Sequence, residues 1–536
     1  MTKKYFYERN DYLLEHETNI TFGEALRMTE DEFVAWCRRM REAVVHSWDD
    51  LGLPPRVGWD EADIKKQFRK MEGFPVHKFL ITDEYTGEKN VIRNNSVVGN
   101  AANQFYPTMM KTKITYGDDA SQALSIYDHF KEDKYFDKVV LYGRRHFKRD
   151  GFYHYSTPIK DDESNTATEW IQKFESERKR GNRENQDYWI YQKDADGEYT
   201  GYNNKSDKET GTVFSDLHVE ERSLRKAKFL LLTKDELQTF IDDETVRPES
   251  ITNIVQPLEH DHYWIRKYDT RDKLFPLGFK AFRVSWCQYA VNFPPLTAKY
   301  LYERYTEHIK DQDQIRIWDP SAGWGGRILG AMSVESDRNI HYIGTDPNTD
   351  HHIEDLNISK YEYLADFYND AKNDCSLFPK SHTREFHQIG SETFDQTDGD
   401  MVFTSPPYFA KEVYSADEGQ SCHKFGGSYD DWRDGFLRPT LENAVKFLKS
   451  NRYLLWNIAD AKFGKHMLPL EQDSIAILKS LGMEYVETLK MCLAQMPGAN
   501  RLDAEGKGKA KNTCLVKSKD GEIILKYEPI SVWRKP

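Results

Sequence analysis

Cysteine, long apolar runs and surplus basic charge are all scarce in this sequence, and each shortage narrows the chemistry open to it. The six cysteines among 536 residues (Cys37, Cys287, Cys375, Cys422, Cys492 and Cys514) include no C-x-x-C pair, which argues against a disulfide framework and a cysteine zinc site. They read as ordinary reduced thiols. No run of about eighteen apolar residues occurs, so no membrane-spanning helix is expected. The opening Met1-Thr2-Lys3-Lys4-Tyr5-Phe6 lacks the apolar block and small-residue cleavage site of a secretory signal, and a cytoplasmic protein with no membrane partner is the expectation. With 75 Lys and Arg against 88 Asp and Glu, the net charge is −13, so contact with nucleic acid would have to come from local basic patches. No internal repeat is found.

What is present supports folded domains. Hydrophobic residues make up 38% and aromatic residues 13% of the chain, enough for one or more substantial cores. At roughly 150 residues per domain, the length allows three or four. Residues 29–48 and 60–71 carry helical patterns, the first opened by the capping box Thr29-Glu30-Asp31-Glu32. From 148 to 226 the chain turns strongly polar, with charge runs such as Glu177-Arg178-Lys179-Arg180 and turn clusters such as Gly201-Tyr202-Asn203-Asn204. Arg222, Arg225, Lys226 and Lys228 close that stretch as a small basic cluster, read as a solvated helix face or a phosphate contact.

The C-terminal half alternates short β-branched or aromatic runs with helical patterns, the rhythm of βαβ units and a mainly parallel sheet. Ile315–Asp319 and Ile340–Asp346 read as strands that each end in an acid. A helix over 353–370 follows, then strands at Phe386–Ile389, Asp400–Thr404 and Tyr453–Asn457, the last after a helix near 429–449. Two further strands, 484–493 and 512–517, are expected to pair through the loop 497–511. Ligands of open parallel sheets bind outside the carboxyl ends of the strands. Asp319, Asp346, Glu392 and Ser405 would therefore share one rim.

Two loops on that rim carry chemistry. Pro320-Ser321-Ala322-Gly323-Trp324-Gly325-Gly326 turns a strand into a helix, and its glycines let a ligand approach backbone and helix N-terminus. It does not meet the G-x-G-x-x-G pyrophosphate fingerprint. Asp346, ending the next strand, is placed to accept ribose hydroxyls, which favours a nucleoside-bearing cofactor. Ser405-Pro406-Pro407-Tyr408 is the more specific signal: with each residue at about 5% frequency, a fixed tetrapeptide arises by chance roughly 0.003 times in such a chain.

Together Asp319–Gly325, Asp346 and Ser405–Tyr408 resemble the S-adenosylmethionine-dependent amino methyltransferases of DNA, which make N4-methylcytosine or N6-methyladenine; Asn292-Phe293-Pro294-Pro295-Leu296-Thr297 matches their upstream motif. The likeness spans about half the chain, from roughly residue 280 onward. It implies an α/β, Rossmann-like methyltransferase fold: a mainly parallel seven-stranded sheet with a terminal antiparallel hairpin, plus an N-terminal mixed α/β region. It implies S-adenosyl-L-methionine as cofactor, with Phe293, Pro294 and Thr297 near its methionine end. Asp319, Ser321, Ala322, Gly323 and Gly325 would hold the amino-acid part, Asp346 the ribose, and Glu392 would lie near the adenine. Phe293 reads equally as core and Glu392 as a helix cap. Ser405, Pro406, Pro407 and Tyr408 would be catalytic, and the partner would be duplex DNA with a flipped base.

The resemblance also frames the domains: 1–147 as an α-rich module for target recognition or partner binding, 148–270 as a polar insertion and linker, and 271–536 as the methyltransferase domain. No room for a recognition domain exists beside the two motifs, so recognition falls to the N-terminal half, a protein partner or a homodimer. Asn457 and Asp460 read as orienting the active-site loop or as surface caps. His351 and His352 have no metal-ligand spacing and read as exposed or capping residues. Lys507, Lys509, Lys511, Lys517 and Lys519, in and beside the glycine-bearing loop, read as a phosphate-contacting loop or as surface charge that serves solubility. A leading Ser leans toward cytosine over adenine. The alternatives are an RNA base methyltransferase and a noncatalytic nucleic-acid-binding module.

Overall fold

The computed structural model describes residues 30–51, 60–93, 100–115, 123–131, 290–335, 338–373, 382–493, 512–518 and 521–536, together with strand segments at 189–193, 199–203, 217–218, 229–233 and 262–266. The chain divides into two compact units. One comprises 11–44 and 132–286; its described strands form an antiparallel set (Trp189–Lys193, Tyr199–Asn203, Leu217–His218) and a pair (Phe229–Thr233, His262–Arg266). The basic cluster at 222–228 lies outside the described residues. The other unit, 1–10, 45–131 and 287–536, carries the large sheet.

That sheet contains β1 (Leu80–Ile81), β2 (Val91–Ile92), β3 (Gln314–Asp319), β4 (Asn339–Thr345), β5 (Thr383–His387), β6 (Gly399–Thr404), β7 (Leu448–Asn457), β8 (Glu484–Cys492), β9 (Thr513–Ser518) and β10 (Gly521–Arg534). Their spatial order is β1-β2-β8-β10-β7-β6-β3-β4-β5, with β9 on the first half of β10. β3 through β7 run parallel, and β10 runs antiparallel to both β7 and β8. The chain leaves β3 outward to β4 and β5, then returns to the opposite side of β3 as β6. This reversal opens a crevice at the carboxyl ends of β3 and β6.

The strands are apolar on both faces because helices cover both. Ile317, Met401, Phe403, Leu455, Ile530 and Val532 point to one side, toward α3 (Pro295–Thr306), α4 (Gly326–Met332) and α5 (Lys360–Asn373). Trp318, Val402, Leu454, Trp456 and Trp533 point to the other, toward α6 (Arg438–Phe447) and α7 (Leu470–Ser480). α5 begins at Lys360 rather than at 353, because Ser359 and Glu362 form a reciprocal capping box (Ser359 N to Glu362 Oε2 2.8 Å, Glu362 N to Ser359 Oγ 3.1 Å). Residues 352–353 and 358–359 instead make a small hairpin with Asn357 at φ 50°.

One expectation is corrected. The strands at 484–492 and 513–518 do not form a hairpin with each other. Both pair with β10, in registers such as Leu489↔Ile530 and Leu515↔Ile524. Pro529 inside β10 cannot donate a ladder bond and disguises it as non-strand. Residues 45–131 belong to the same compact unit as 287–536. Ile64, Phe68 and Met71 of the helix Glu61–Glu72 are buried in the core that holds α3 and α5. Lys299 of α3 donates its Nζ to Met71 O at 2.9 Å, satisfying the helix's last carbonyls, and β2 extends the sheet beside β8. A twelve-residue helix with one apolar stripe has nothing of its own to bury that stripe against.

The crossing of α3 and α4 sets how tightly the sheet's first face closes. A Cβ on Gly330 would lie 2.6 Å from Ala298 Cβ and 2.7 Å from Pro295 O. Gly330→Ala is therefore expected to destabilise by about 1–3 kcal/mol through overpacking, whereas Gly73→Ala, with nothing within 4 Å of its added Cβ, stays within about 0.5 kcal/mol. Urea unfolding of both variants checks this; equal midpoints would contradict the tight crossing.

Candidate active site

The crevice is organised from beneath by Asp319, the last residue of β3, which is fully buried. Its Oδ1 accepts from Ser321 N (3.2 Å) and Thr404 Oγ1 (2.7 Å). Its Oδ2 accepts from Arg327 Nε (2.7 Å) and the Tyr342 hydroxyl. Four donors fill the lone-pair sites of a carboxylate. Asp319 thus shapes the rim from inside and presents no free oxygen to it. Arg327, equally buried, passes its second donor to Ser321 O, so the start of the glycine loop is bonded to both members of the ion pair.

Within the loop, Gly323 and Gly325 adopt φ values of 61° and 74°, the left-handed region that side chains disfavour. Ser321 and Gly323 are half-exposed on the rim, whereas Ala322, Trp324 and Gly325 are buried. Ala322 N donates to Thr345 O at 3.1 Å, and Gly326 N, at the start of α4, donates to Asn292 Oδ1 at 3.0 Å. Above Gly325 lies Tyr106, whose ring edge would stand 2.6 Å from an added Cβ. The Tyr106 ring also meets Trp324 (6.1 Å) and His351 (5.0 Å) edge-on. Sequence reasoning missed Tyr106, which sits more than two hundred positions upstream in a segment without a motif. His351, expected as an exposed or capping residue, is buried, and its Nδ1 pairs with the Tyr361 hydroxyl at 2.5 Å. Burial, aided by the charge of Lys360, pushes its pKa down to about 3. The Tyr361 hydroxyl in turn donates to Gly323 O at 2.8 Å.

Asp346 follows β4 and is half-buried on the rim. Its two oxygens each take one backbone donor, Gly323 N and Asn348 N, both at 3.0 Å. Burial lifts its carboxyl above the usual range, against the pull of those donors. Each oxygen keeps a lone pair for a further donor.

Ser405–Tyr408 leaves β6 immediately after Thr404, the residue bonded to Asp319, and so emerges in the crevice beside the glycine loop. Ser405, Pro407 and Tyr408 are half-buried and Pro406 buried. The Tyr408 hydroxyl accepts from Ala459 N at 3.1 Å, pinning the ring by its tip, and Phe409 turns the chain at φ 55°. Beyond it, the Tyr414 hydroxyl bonds to the Glu412 carboxylate, and the Tyr414 ring meets Trp324 at 6.0 Å. A wall of aromatic and acidic side chains thereby connects the glycine loop to the segment after Tyr408. Glu528 completes it from β10; burial and the neighbouring Glu412 charge push its carboxyl up to about 7.

The structure distributes the remaining expected residues over several elements. Phe293 packs edge-on against Phe403 (5.2 Å) under the Arg327 guanidinium, in the core. Pro294 is the half-buried cap of α3. Thr297 is buried, its hydroxyl without a partner among the described residues. Glu392 ion-pairs with Lys424 at 2.7 Å in the turn after β5. Asp460 accepts from Glu471 N at 2.9 Å and caps α7, while Asn457 is buried and donates to Pro529 O at 3.0 Å. Lys517 pairs with Glu84 at 2.9 Å; Lys507, Lys509, Lys511 and Lys519 lie outside the described residues. Cys492 and Cys514, distant in sequence, bring their sulfurs within 3.6 Å as buried thiols.

No protein-family model and no curated protein matches the chain. Solved structures similar to it include an S-adenosylmethionine-dependent methyltransferase of Methanosarcina mazei (11% identity, TM-score 0.23, covering 44% of this chain and 96% of that one). TrmN from Thermus thermophilus shares 12% identity at a TM-score of 0.23 over 52% of this chain and 57% of that one. A protein described provisionally as a DNA modification methylase, also from Thermus thermophilus and complexed with S-adenosyl-L-methionine, shares 21% identity at a TM-score of 0.17 over 28% of this chain and 54% of that one. At such values the fold rests on strand order and register, not on these likenesses.

The Glu528 carboxyl supplies a pH test of the acidic wall. Its folded value, about 7, lies above its ordinary 4.5, so the stability it confers is present below pH 4.5 and lost as pH rises through about 7. Relative to wild type, Glu528→Gln is expected to gain on the order of 2 kcal/mol of stability between about pH 5 and pH 8. Chemical unfolding at the two pH values measures it; parallel pH profiles for the two proteins would rule out the buried, charge-coupled carboxyl.

Proposed function

We propose that this chain transfers a methyl group from S-adenosylmethionine to the exocyclic amino group of cytosine (N4) or adenine (N6) in DNA. The observation that carries the reading is the emergence of Ser405–Tyr408 at the reversal point of the parallel sheet, one residue beyond the Thr404 to Asp319 hydrogen bond. The residues present suit the cofactor. Asp346 offers two oxygens, held by backbone donors, to ribose hydroxyls. At Gly323 an added Cβ would meet nothing closer than 3.6 Å, so the backbone there is open to close approach. Asp319 acts by holding the loop rather than by touching the ligand. When bound, S-adenosylmethionine supplies a sulfonium methyl as electrophile.

The chain's own residues answer for the nucleophile. An amino group on cytosine or adenine is a poor one, because its lone pair is delocalised into the ring. Acceptors at Ser405 and the Pro406 carbonyl would draw its hydrogens and direct the lone pair out of the ring plane. Two prolines hold those acceptors in place, so little reorganisation accompanies reaction. The Tyr408 ring, pinned through its hydroxyl, offers a face on which an extruded base can stack, offsetting part of an unstacking cost of a few kcal/mol. Proximity and alignment then supply most of the rate.

Methyl transfer from labelled S-adenosylmethionine to duplex DNA, single-stranded DNA and structured RNA, with base-resolved readout, tests this. Wild type is expected to label an amino base in DNA. Ser405→Ala and Tyr408→Ala should each lower kcat by about 10²-fold or more, and Asp346→Ala should weaken cofactor binding about 10–100-fold in calorimetry. Label on RNA alone would move the activity to the RNA class. Absence of both binding and transfer would leave a noncatalytic module.

A further inference from the structure

The segment 100–115 lies outside the stretch that resembles a methyltransferase, yet it touches both loops of the candidate site. It is itself anchored: the Tyr368 hydroxyl of α5 donates to Ala101 O at 3.1 Å, and Phe105 packs among Tyr363, Phe367 and Tyr368. At one end Tyr106 fills the space a side chain at Gly325 would occupy, and Asn103 Oδ1 accepts from Asn292 Nδ2 at 3.0 Å, the same Asn292 that receives Gly326 N. A turn over Pro107–Lys111 then leads to a strand, Lys113–Thr115, that pairs with Glu412–Val413 (Ile114↔Glu412, Lys113↔Val413). Thr115 N donates to Lys411 O at 3.0 Å, the Lys411 ammonium returns a bond to Thr115 O, and Lys411 N donates to Tyr408 O at 3.0 Å. Backbone bonds thus run without a break from Thr115 to the tetrapeptide.

We infer that segment 100–115 is a clamp that sets the geometry of both loops, with Tyr106 positioning the glycine loop and Thr115 positioning Ser405–Tyr408. This deepens the proposed reaction and rests on it: the clamp's two ends act on donor and acceptor separately. Tyr106 acts through its ring, since its hydroxyl has no partner among the described residues. Removing the ring frees a left-handed glycine turn to sample other conformations. Replacing Thr115 by proline deletes the donor that holds Lys411 O.

The test has two arms. In the ligand-free protein, Tyr106→Ala is expected to speed amide hydrogen exchange at 321–326 by at least about tenfold while leaving 409–414 unchanged, and Thr115→Pro the reverse. In the second arm, Tyr106→Ala should weaken S-adenosylmethionine binding about tenfold or more with kcat at saturating cofactor nearly kept. Thr115→Pro should lower kcat about tenfold or more at unchanged cofactor affinity, and Tyr106→Phe should match wild type in both arms. Equal effects of both variants on both loops, or on both binding and kcat, would overturn the clamp and indicate general destabilisation. If wild type binds no cofactor, the proposed reaction fails, and the exchange arm alone decides the clamp.

Discussion

The buried Asp319–Arg327 pair is the constraint on which the crevice depends. Two charges removed from water cost several kcal/mol each unless every lone pair and donor is met. Here the four lone-pair sites of the carboxylate are met by Ser321 of the loop, Tyr342 of β4, Thr404 of β6 and Arg327 at the start of α4, and the guanidinium also donates to Ser321 O. Displacing any one of these groups leaves a buried charge short of a partner. The penalty for misplacing the loop is therefore charged to the whole sheet rather than to the loop alone, and so a glycine-rich turn can hold two left-handed residues without a rigid sequence of its own.

The same logic explains what was legible in the sequence. Ser405–Tyr408 stood out because uncommon residue types lie contiguous at the end of an apolar strand. β6 and β7 stood out because strands buried on both faces read as apolar runs (Met401–Phe403, Tyr453–Trp456), and β3 and β4 as short β-branched or aromatic stretches that each lead to an acid. The role of Asp319 was only half legible: its position at a strand end is visible, but whether its carboxylate faces ligand or core depends on Arg327, Tyr342 and Thr404, which only the fold assembles. β10 was hidden by Pro529. Tyr106 and Thr115 were hidden for a different reason, since their partners lie about two hundred to three hundred positions away and no local pattern encodes a contact that distant. His351 shows the converse error. A polar pair in a turn reads as exposed or capping, whereas Tyr106, Trp324 and Tyr361 enclose one of the two rings.

Electrostatics complete the picture. Asp346, Glu412 and Glu528 gather on the rim from three different elements, and burial holds all three carboxyls above their ordinary values. Such a wall is costly when fully ionised and gains from a positive neighbour. On the proposed reading the sulfonium donor carries a full positive charge, and the amino group acquires one as its nitrogen attacks the methyl carbon. Phosphates, by contrast, would be repelled. On the proposed reading, the acidic wall faces the reacting centre while the nucleic-acid backbone is held away from it, by basic groups elsewhere on the chain or on a partner. The net charge of −13 is consistent with this division: it weakens indiscriminate binding to nucleic acid, so that on the proposed reading the extruded base, rather than the backbone, is the part of the substrate suited to this crevice.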